Sequence, residues 1–282
     1  MIVKNSVIAG DGHFHLYPCF DPARAINALV DNLNLLAGSA SGLGAGRDVF
    51  KIAFLTEGGQ FNYFQKILRK EVVFPQAGFE ISAGPEEHCL SISRDGGLLL
   101  VLMAGRQVAT LERLEILGLG MEKEISDALP EGEIIDKIIA AGGLPVLPFS
   151  PGKWLFKRGK LARRLAEKYG RKLIIGDSAL RPIGWGAPEI MRRARKINQA
   201  VLAGSDPLPM AGEEKYAGRY GFVYQGPFDA SKPLTAIREI IADKPEMMMP
   251  VGRRRSMADV VRSLYCLKRK NKKISASSAP LR

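Results

Sequence analysis

A chain of 282 residues, 46% of them hydrophobic, is long enough for one large α/β barrel or two modest domains with a sizeable core. No run approaches the ~18 apolar residues of a membrane span, and the N-terminus lacks a signal-peptide layout, so a cytoplasmic protein with no membrane partner is expected. Cys19, Cys89 and Cys266 are widely spaced with no CxxC, which argues against a disulfide framework or a cysteine zinc site. The net charge of +12 is uneven: from Gly252 onward ten basic residues face one acid, Asp259. A polyanion is the partner such a cluster would take, although a solvated helix accounts for the same charges.

Residues 3–9 alternate into a first strand, and the stretch Gly10-Asp11-Gly12-His13-Phe14-His15 closes it with two of the three histidines. On extended backbone alternate residues face one side, so His13 and His15 project together and can present two imidazoles to one metal ion. Asp11 could orient one ring from behind. Asp21-Pro22 then opens a helix with N-cap and N1 residues in place, and Ala25, Ile26, Leu29, Val30, Leu33 and Leu36 follow at helical spacing. Residues 38–46 read as a loop and 48–56 as a second strand, followed by a helix at 61–70 and a short strand at 72–74.

Strands at 79–82 and 88–93, a tight turn at Asp95-Gly96-Gly97 and a strand at 98–103 read as an antiparallel extension, with 108–119 a further β-like run. After it a βα rhythm resumes: helix 132–141, strand 144–149, helix 160–169, strand 172–176, helix 188–198 and strand 200–203. Strands alternating with such helices indicate parallel βαβ units, and no GxGxxG follows the first strand, so a closed or distorted (β/α) barrel is expected over an open nucleotide-binding sheet. Residues 212–220 carry Glu213, Glu214, Lys215 and Arg219, read as an exposed helical face. A strand at 221–225, a helix at 233–242 and a basic helix at 256–270 complete the chain, the last docking through Val260, Val261, Leu264 and Leu267, with disorder from about 271. The expected organisation is a barrel over residues 1–250 and a basic C-terminal helix and tail over 251–282.

Several short segments together resemble the metal-dependent hydrolases built on (β/α) barrels: the amidohydrolase and TatD-type enzymes and the polymerase-and-histidinol-phosphatase (PHP) family. Asp11 to His15 looks like their metal-binding HxH on the first strand, and Asp21 falls near a further ligand position of the PHP type. Glu80, followed by His88, looks like the PHP segment in which a glutamate bridges metals, and Gly204-Ser205-Asp206 looks like the late strand whose aspartate binds metal and positions the attacking water. The resemblance covers roughly residues 1–210. It also breaks: Gly58, Ser150 and Leu208 stand where the PHP pattern has histidines, and with three histidines in all no multi-metal site of either family can be assembled.

What the resemblance implies is therefore a reduced site, a single divalent ion (Zn²⁺, Mn²⁺ or Fe²⁺, if any) held by His13, His15 and Asp206 with Glu80 as a further ligand. A carboxylate not engaged as a ligand, Asp177 or Asp206, would take the proton of a metal-activated water. Arg181 and Lys153, at strand ends where barrels carry their sites, are candidates to hold a small anionic substrate. The expected function is metal-assisted hydrolysis of an anionic ester, phosphate or amide. Its rivals are a non-catalytic barrel that binds a ligand or partner protein, and a TatD-like nuclease that uses the basic tail.

Overall fold

The structure is a computed structural model that describes residues 2–39, 47–59, 61–74 and 78–277. Most of the loop expected at 38–46 lies outside them. Among the described residues the strands are β1 (Ile2–Phe14), β2 (Asp48–Gly58), β3 (Glu80–Ala83), β4 (Cys89–Arg94), β5 (Gly97–Ala109), β6 (Glu115–Leu119), β7 (Leu144–Pro148), β8 (Ile174–Ser178), β9 (Val201–Gly204), β10 (Tyr220–Asp229) and β11 (Met249–Gly252). The helices are α1 (Pro22–Ser39), α2 (Tyr63–Leu68), α3 (Glu131–Ala140), α4 (Phe156–Tyr169), α5 (Glu189–Lys196), α6 (Pro233–Asp243) and α7 (Met257–Ser277).

All the strands form one sheet, ordered β11-β10-β1-β2-β5-β6-β7-β8-β9, with β3 and β4 branching from β5. β1, β2 and β5 run parallel, as do β7, β8 and β9, while β6 and β10 are reversed. The C-terminal ends of β1, β2, β5, β7, β8 and β9 therefore open on one end of the sheet. The sheet curls until β9 meets β1, where the Asp206 N–H donates to the His13 carbonyl at 2.8 Å. This is a nearly closed, distorted (β/α) barrel.

Side-chain alternation distributes the core. Ile8, Ile52, Phe54, Leu117, Val146, Ile174, Leu202 and Phe222 fill the interior, and α6 covers one end with Leu234, Ile237 and Ile241. Val7, Ala9, Ala53 and Leu55 face outward against Ile26, Leu29 and Leu33 of α1. The Asp21 carboxylate caps α1 by accepting from the Ala23 and Arg24 N–H groups at 2.9 and 3.1 Å. Ile134, Leu161, Ile175 and Met191 form a further outer layer between α3, α4, α5 and the sheet.

Four expectations need correction. Residues 72–74 form no strand; Phe74 instead packs into the core beneath α1. The run 108–119 is split by a turn in which Leu114 N–H bonds Thr110 Oγ1 at 3.1 Å, so β5 reaches Ala109 and β6 returns antiparallel to it. β11 pairs with β10 ahead of the final helix, where no strand was expected. The final helix continues to Ser277 and docks through Val260, while Val261 is exposed.

Candidate metal centre

The register between β1 and β2 slips between Asp11 and Phe14: Asp11 lies opposite Ala53, and Phe14 opposite Leu55. Three residues of β1 thus span two of β2, a bulge that reverses the facing of everything beyond it. Before the bulge odd-numbered residues point outward to α1; after it Phe14 does so. His13 and His15 are thereby turned toward the mouth of the barrel. Close contact with β9 keeps them there. A Cβ at Gly12 would lie 2.7 Å from Leu202 Cγ, and one at Gly204 would lie 2.4 Å from the His13 nitrogen, so both crossings require glycine.

Asp11 locks this arrangement. Its fully buried carboxylate accepts from the N–H groups of His13 (3.0 Å), Ser205 (2.9 Å) and Gly218 (2.9 Å), and from the Ser205 hydroxyl. Burial pushes its pKa up, and the four donors oppose that rise. Asp11 therefore acts on the backbone of His13, not on either imidazole ring as expected.

His13 Nε2 and His15 Nε2 lie 2.9 Å apart, and Asp206 Oδ1 is 3.8 and 3.7 Å from them. Among the described residues these three alone form a group whose ligand atoms all lie within 4.8 Å of one another. His15 and Asp206 are held from behind. His15 Nδ1 lies 2.5 Å from the Thr56 carbonyl, which can only accept; the proton of the neutral ring is thus on Nδ1 and the Nε2 lone pair faces the group. Burial, and next the neighbouring His13, lower the His15 pKa to about 3, so the ring is neutral and fit to ligate at ordinary pH. Asp206, at φ 49°, receives the Ser178 hydroxyl on Oδ2 at 2.9 Å, which leaves Oδ1 turned to the imidazoles. Gln107 Oε1 lies 3.1 Å from His13 Nε2, and the Tyr17 ring centroid 5.0 Å from that of His15. Two neutral imidazoles and one carboxylate fit a divalent ion such as Zn²⁺, Fe²⁺ or Mn²⁺ with positions left open.

The other expected residues stand elsewhere. Glu80 is exposed on β3, opposite Ser93, outside the group. His88 pairs with Glu122 at 2.8 Å, and the Glu57 carboxylate caps α2 through the Tyr63 and Phe64 N–H groups. Asp177 and Arg181 are both buried and satisfy each other: Arg181 Nε and Nη2 donate to the two Asp177 oxygens at 2.7 and 2.6 Å, and the Tyr220 hydroxyl donates to Asp177 at 2.7 Å. Burial would lower the Arg181 pKa, but Asp177 holds it above its ordinary value. This corrects two expectations, since Asp177 is no free base and Arg181 no free anion clamp. Lys153 is likewise in an ion pair, 2.5 Å from Glu115 at the start of β6.

Thr56, Gln107 and Ser178 were missed. Each lies at, or two residues before, the C-terminal end of a parallel strand, the region from which barrels supply site residues, but only that placement could have signalled them.

No family model matches this chain, and no curated protein matches it. Solved structures do. PsfC from Pseudomonas syringae PB-5123 superposes with a TM-score of 0.52 at 13% identity, over 96% of this chain and 100% of that one. The lesion-specific endonuclease PfuEndoQ from Pyrococcus furiosus superposes with a TM-score of 0.50 at 17% identity, over 89% of this chain and 59% of that one. A two-domain protein from Bacteroides vulgatus, containing a predicted PHP-like metal-dependent phosphoesterase, aligns at 11% identity over 86% of this chain and 64% of that one, at a TM-score of 0.44. At these identities the likeness speaks for the fold alone. That fold is the distorted (β/α) barrel the resemblance to metal-dependent hydrolases implied, with His13, His15 and Asp206 grouped at its mouth.

Proposed function

We propose that the chain is a metal-dependent hydrolase with a single-ion site, acting on a small anionic ester, phosphate or amide. The observation that carries this reading is the convergence of His13 Nε2, His15 Nε2 and Asp206 Oδ1, with His15 and Asp206 braced from behind, at the C-terminal ends of the parallel strands. A divalent ion bound there would lower the pKa of a bound water and polarise the substrate oxygen. The two imidazoles and Asp206 Oδ1 would hold the ion; Thr56 and Ser178 keep the His15 and Asp206 ligand atoms aimed. Asp206 Oδ2, the oxygen that receives the Ser178 hydroxyl and is not turned to the imidazoles, would take the proton that the attacking water gives up. Asp177 and Arg181 act as a buried strut beneath the mouth. That a neighbour of the same fold is a lesion-specific endonuclease supports a phosphoester as the first substrate class to try.

A screen of nitrophenyl phosphomonoesters, phosphodiesters and carboxyl esters with added Mn²⁺ or Zn²⁺ tests this reading. Turnover in the wild type, abolished by Asp206→Asn and by the His13→Ala/His15→Ala pair, is expected. Turnover that persists in both variants excludes the mechanism.

One observation favours a second reading, a non-catalytic barrel. The 2.9 Å between the two Nε2 atoms is also a hydrogen-bond length, so His13 protonated on Nε2 can donate to His15 and the cluster is satisfied without an ion. Metal content separates the two.

A further inference from the structure

A cleft of about 750 Å³ opens at the same end of the barrel as the metal centre but beside it, between the loop that follows β7 and the loop that follows β8. In the sheet order β8 lies next to β9, and Asp206 follows β9 by two residues. The volume is in the range that takes a small ligand.

Two features of its walls limit what that ligand can be. The first is aromatic. Both of the chain's tryptophans, Trp154 and Trp185, line it together with Phe149 and Phe156. Trp154 is fixed edge-on against Phe149 with ring centroids 5.3 Å apart, whereas Trp185 is 46% exposed and Phe156 89% exposed. Rings left in water at a concave surface offer a face to another planar group.

The second feature is charge. Lys160 and Arg163 line the cleft; one Nη of Arg163 donates to Glu189, the acid among the lining residues, at 2.8 Å, so the lining keeps a net charge of +1. The flanking helices α4 and α5 carry ten basic residues against two acids. An uncharged apolar ligand would use the rings and leave the cations idle; a simple oxyanion would do the reverse. A planar base joined to a phosphate uses both.

We propose that this cleft binds a nucleoside phosphate, its base stacked on Trp185 and its phosphate paired with Lys160 and Arg163, either as a free mononucleotide or as a unit of a single strand. The inference stands apart from the metal reading, because no residue of the cleft belongs to the His13, His15 and Asp206 group.

Because both tryptophans line the cleft, intrinsic fluorescence reports on it directly. The full chain is titrated with AMP and with a 5′-phosphorylated twelve-nucleotide single strand, and the affinity of the strand is also read by anisotropy of a labelled copy. Saturable quenching is expected, with affinity falling about tenfold or more in Trp185→Ala. In Lys160→Ala/Arg163→Ala, affinity falls and its salt dependence flattens. The His13→Ala/His15→Ala variant binds as the wild type does, so loss of metal and loss of ligand are read separately. Quenching by AMP as strong as by the strand assigns a free nucleotide; quenching by the strand alone assigns a polymer. Binding of the strand that Trp185→Ala leaves unchanged places it elsewhere on the basic surface and overturns the proposal. Quenching by phosphatidylglycerol vesicles but by neither nucleotide overturns it in favour of an anionic membrane surface.

Discussion

Removing the Asp11 carboxylate should unfasten the barrel at the point where the metal centre is built. In Asp11→Ala three buried backbone N–H groups, of His13, Ser205 and Gly218, lose their acceptor. Each orphaned buried donor costs about 1–3 kcal/mol. Relief of the carboxylate's own burial, which holds its pKa up, offsets part of that loss. The expected net is a destabilisation of about 3–5 kcal/mol, a fall in Tm of roughly 6–20 °C for a chain of this size. Asp11→Asn keeps one oxygen for His13 and Ser205 but turns an NH₂ group toward the Gly218 N–H, while the Ser205 hydroxyl can rotate to accept. It should cost only about 1–3 kcal/mol. Circular dichroism melts of metal-free protein measure the order wild type, Asn, Ala. An alanine variant that melts within about 2 °C of the wild type would refute the reasoning, because the four donors would then be satisfied without Asp11.

Gly204→Ala places a methyl 2.4 Å from the His13 nitrogen, so β9 must move off β1; a loss of about 1–3 kcal/mol is expected, with zinc affinity by competition assay falling at least tenfold. Arg181→Met removes the cation from the buried Asp177, leaving it the Tyr220 hydroxyl, and should cost about 3–5 kcal/mol, whereas adding Asp177→Asn should recover much of it; denaturant melts that rank the double variant below the single would contradict the strut. For His15 the sign follows from its folded-state pKa of about 3 against 6.5 in the unfolded chain: between these values the unfolded state binds the extra proton, so stability falls as pH drops through that window, by up to ~1.4 kcal/mol per pH unit. Metal-free His15→Gln should lack that share of the slope in melts from pH 7 to pH 4; an unchanged slope would show that the ring titrates normally.

Much of the barrel was legible because local chemistry and global position agree. Asp21-Pro22 caps α1, the apolar set from Ala25 to Leu36 is the face that packs, and the turn at Asp95-Gly96-Gly97 joins β4 to β5. The illegible parts are those decided by partners distant in sequence. The turn between β5 and β6 contains neither glycine nor proline and puts Arg113 at φ 63°, so no breaker residue marks it. β11 is too short to show a period and exists through its pairing with β10.

The same division runs through the site. The HxH and the Gly-Ser-Asp stretch were visible as motifs, but the bulge that turns the imidazoles inward follows from how β1 must meet both β2 and β9. Glu213 looked like solvated charge; it is buried with Arg255, 42 residues on, at 2.6 Å. The charge of α4 and α5 was hidden by summing it with an acidic remainder, which drew attention to the tail instead.

The most direct test of the metal centre is elemental analysis of protein purified without an affinity tag, before and after incubation with excess Zn²⁺, Mn²⁺ and Fe²⁺, with His13→Ala/His15→Ala alongside. About one ion per chain in the wild type and none in the variant is the expected result. No ion in the wild type even after incubation, with the fold intact, would contradict a metal-dependent hydrolase and leave the self-satisfied histidine pair as the correct description.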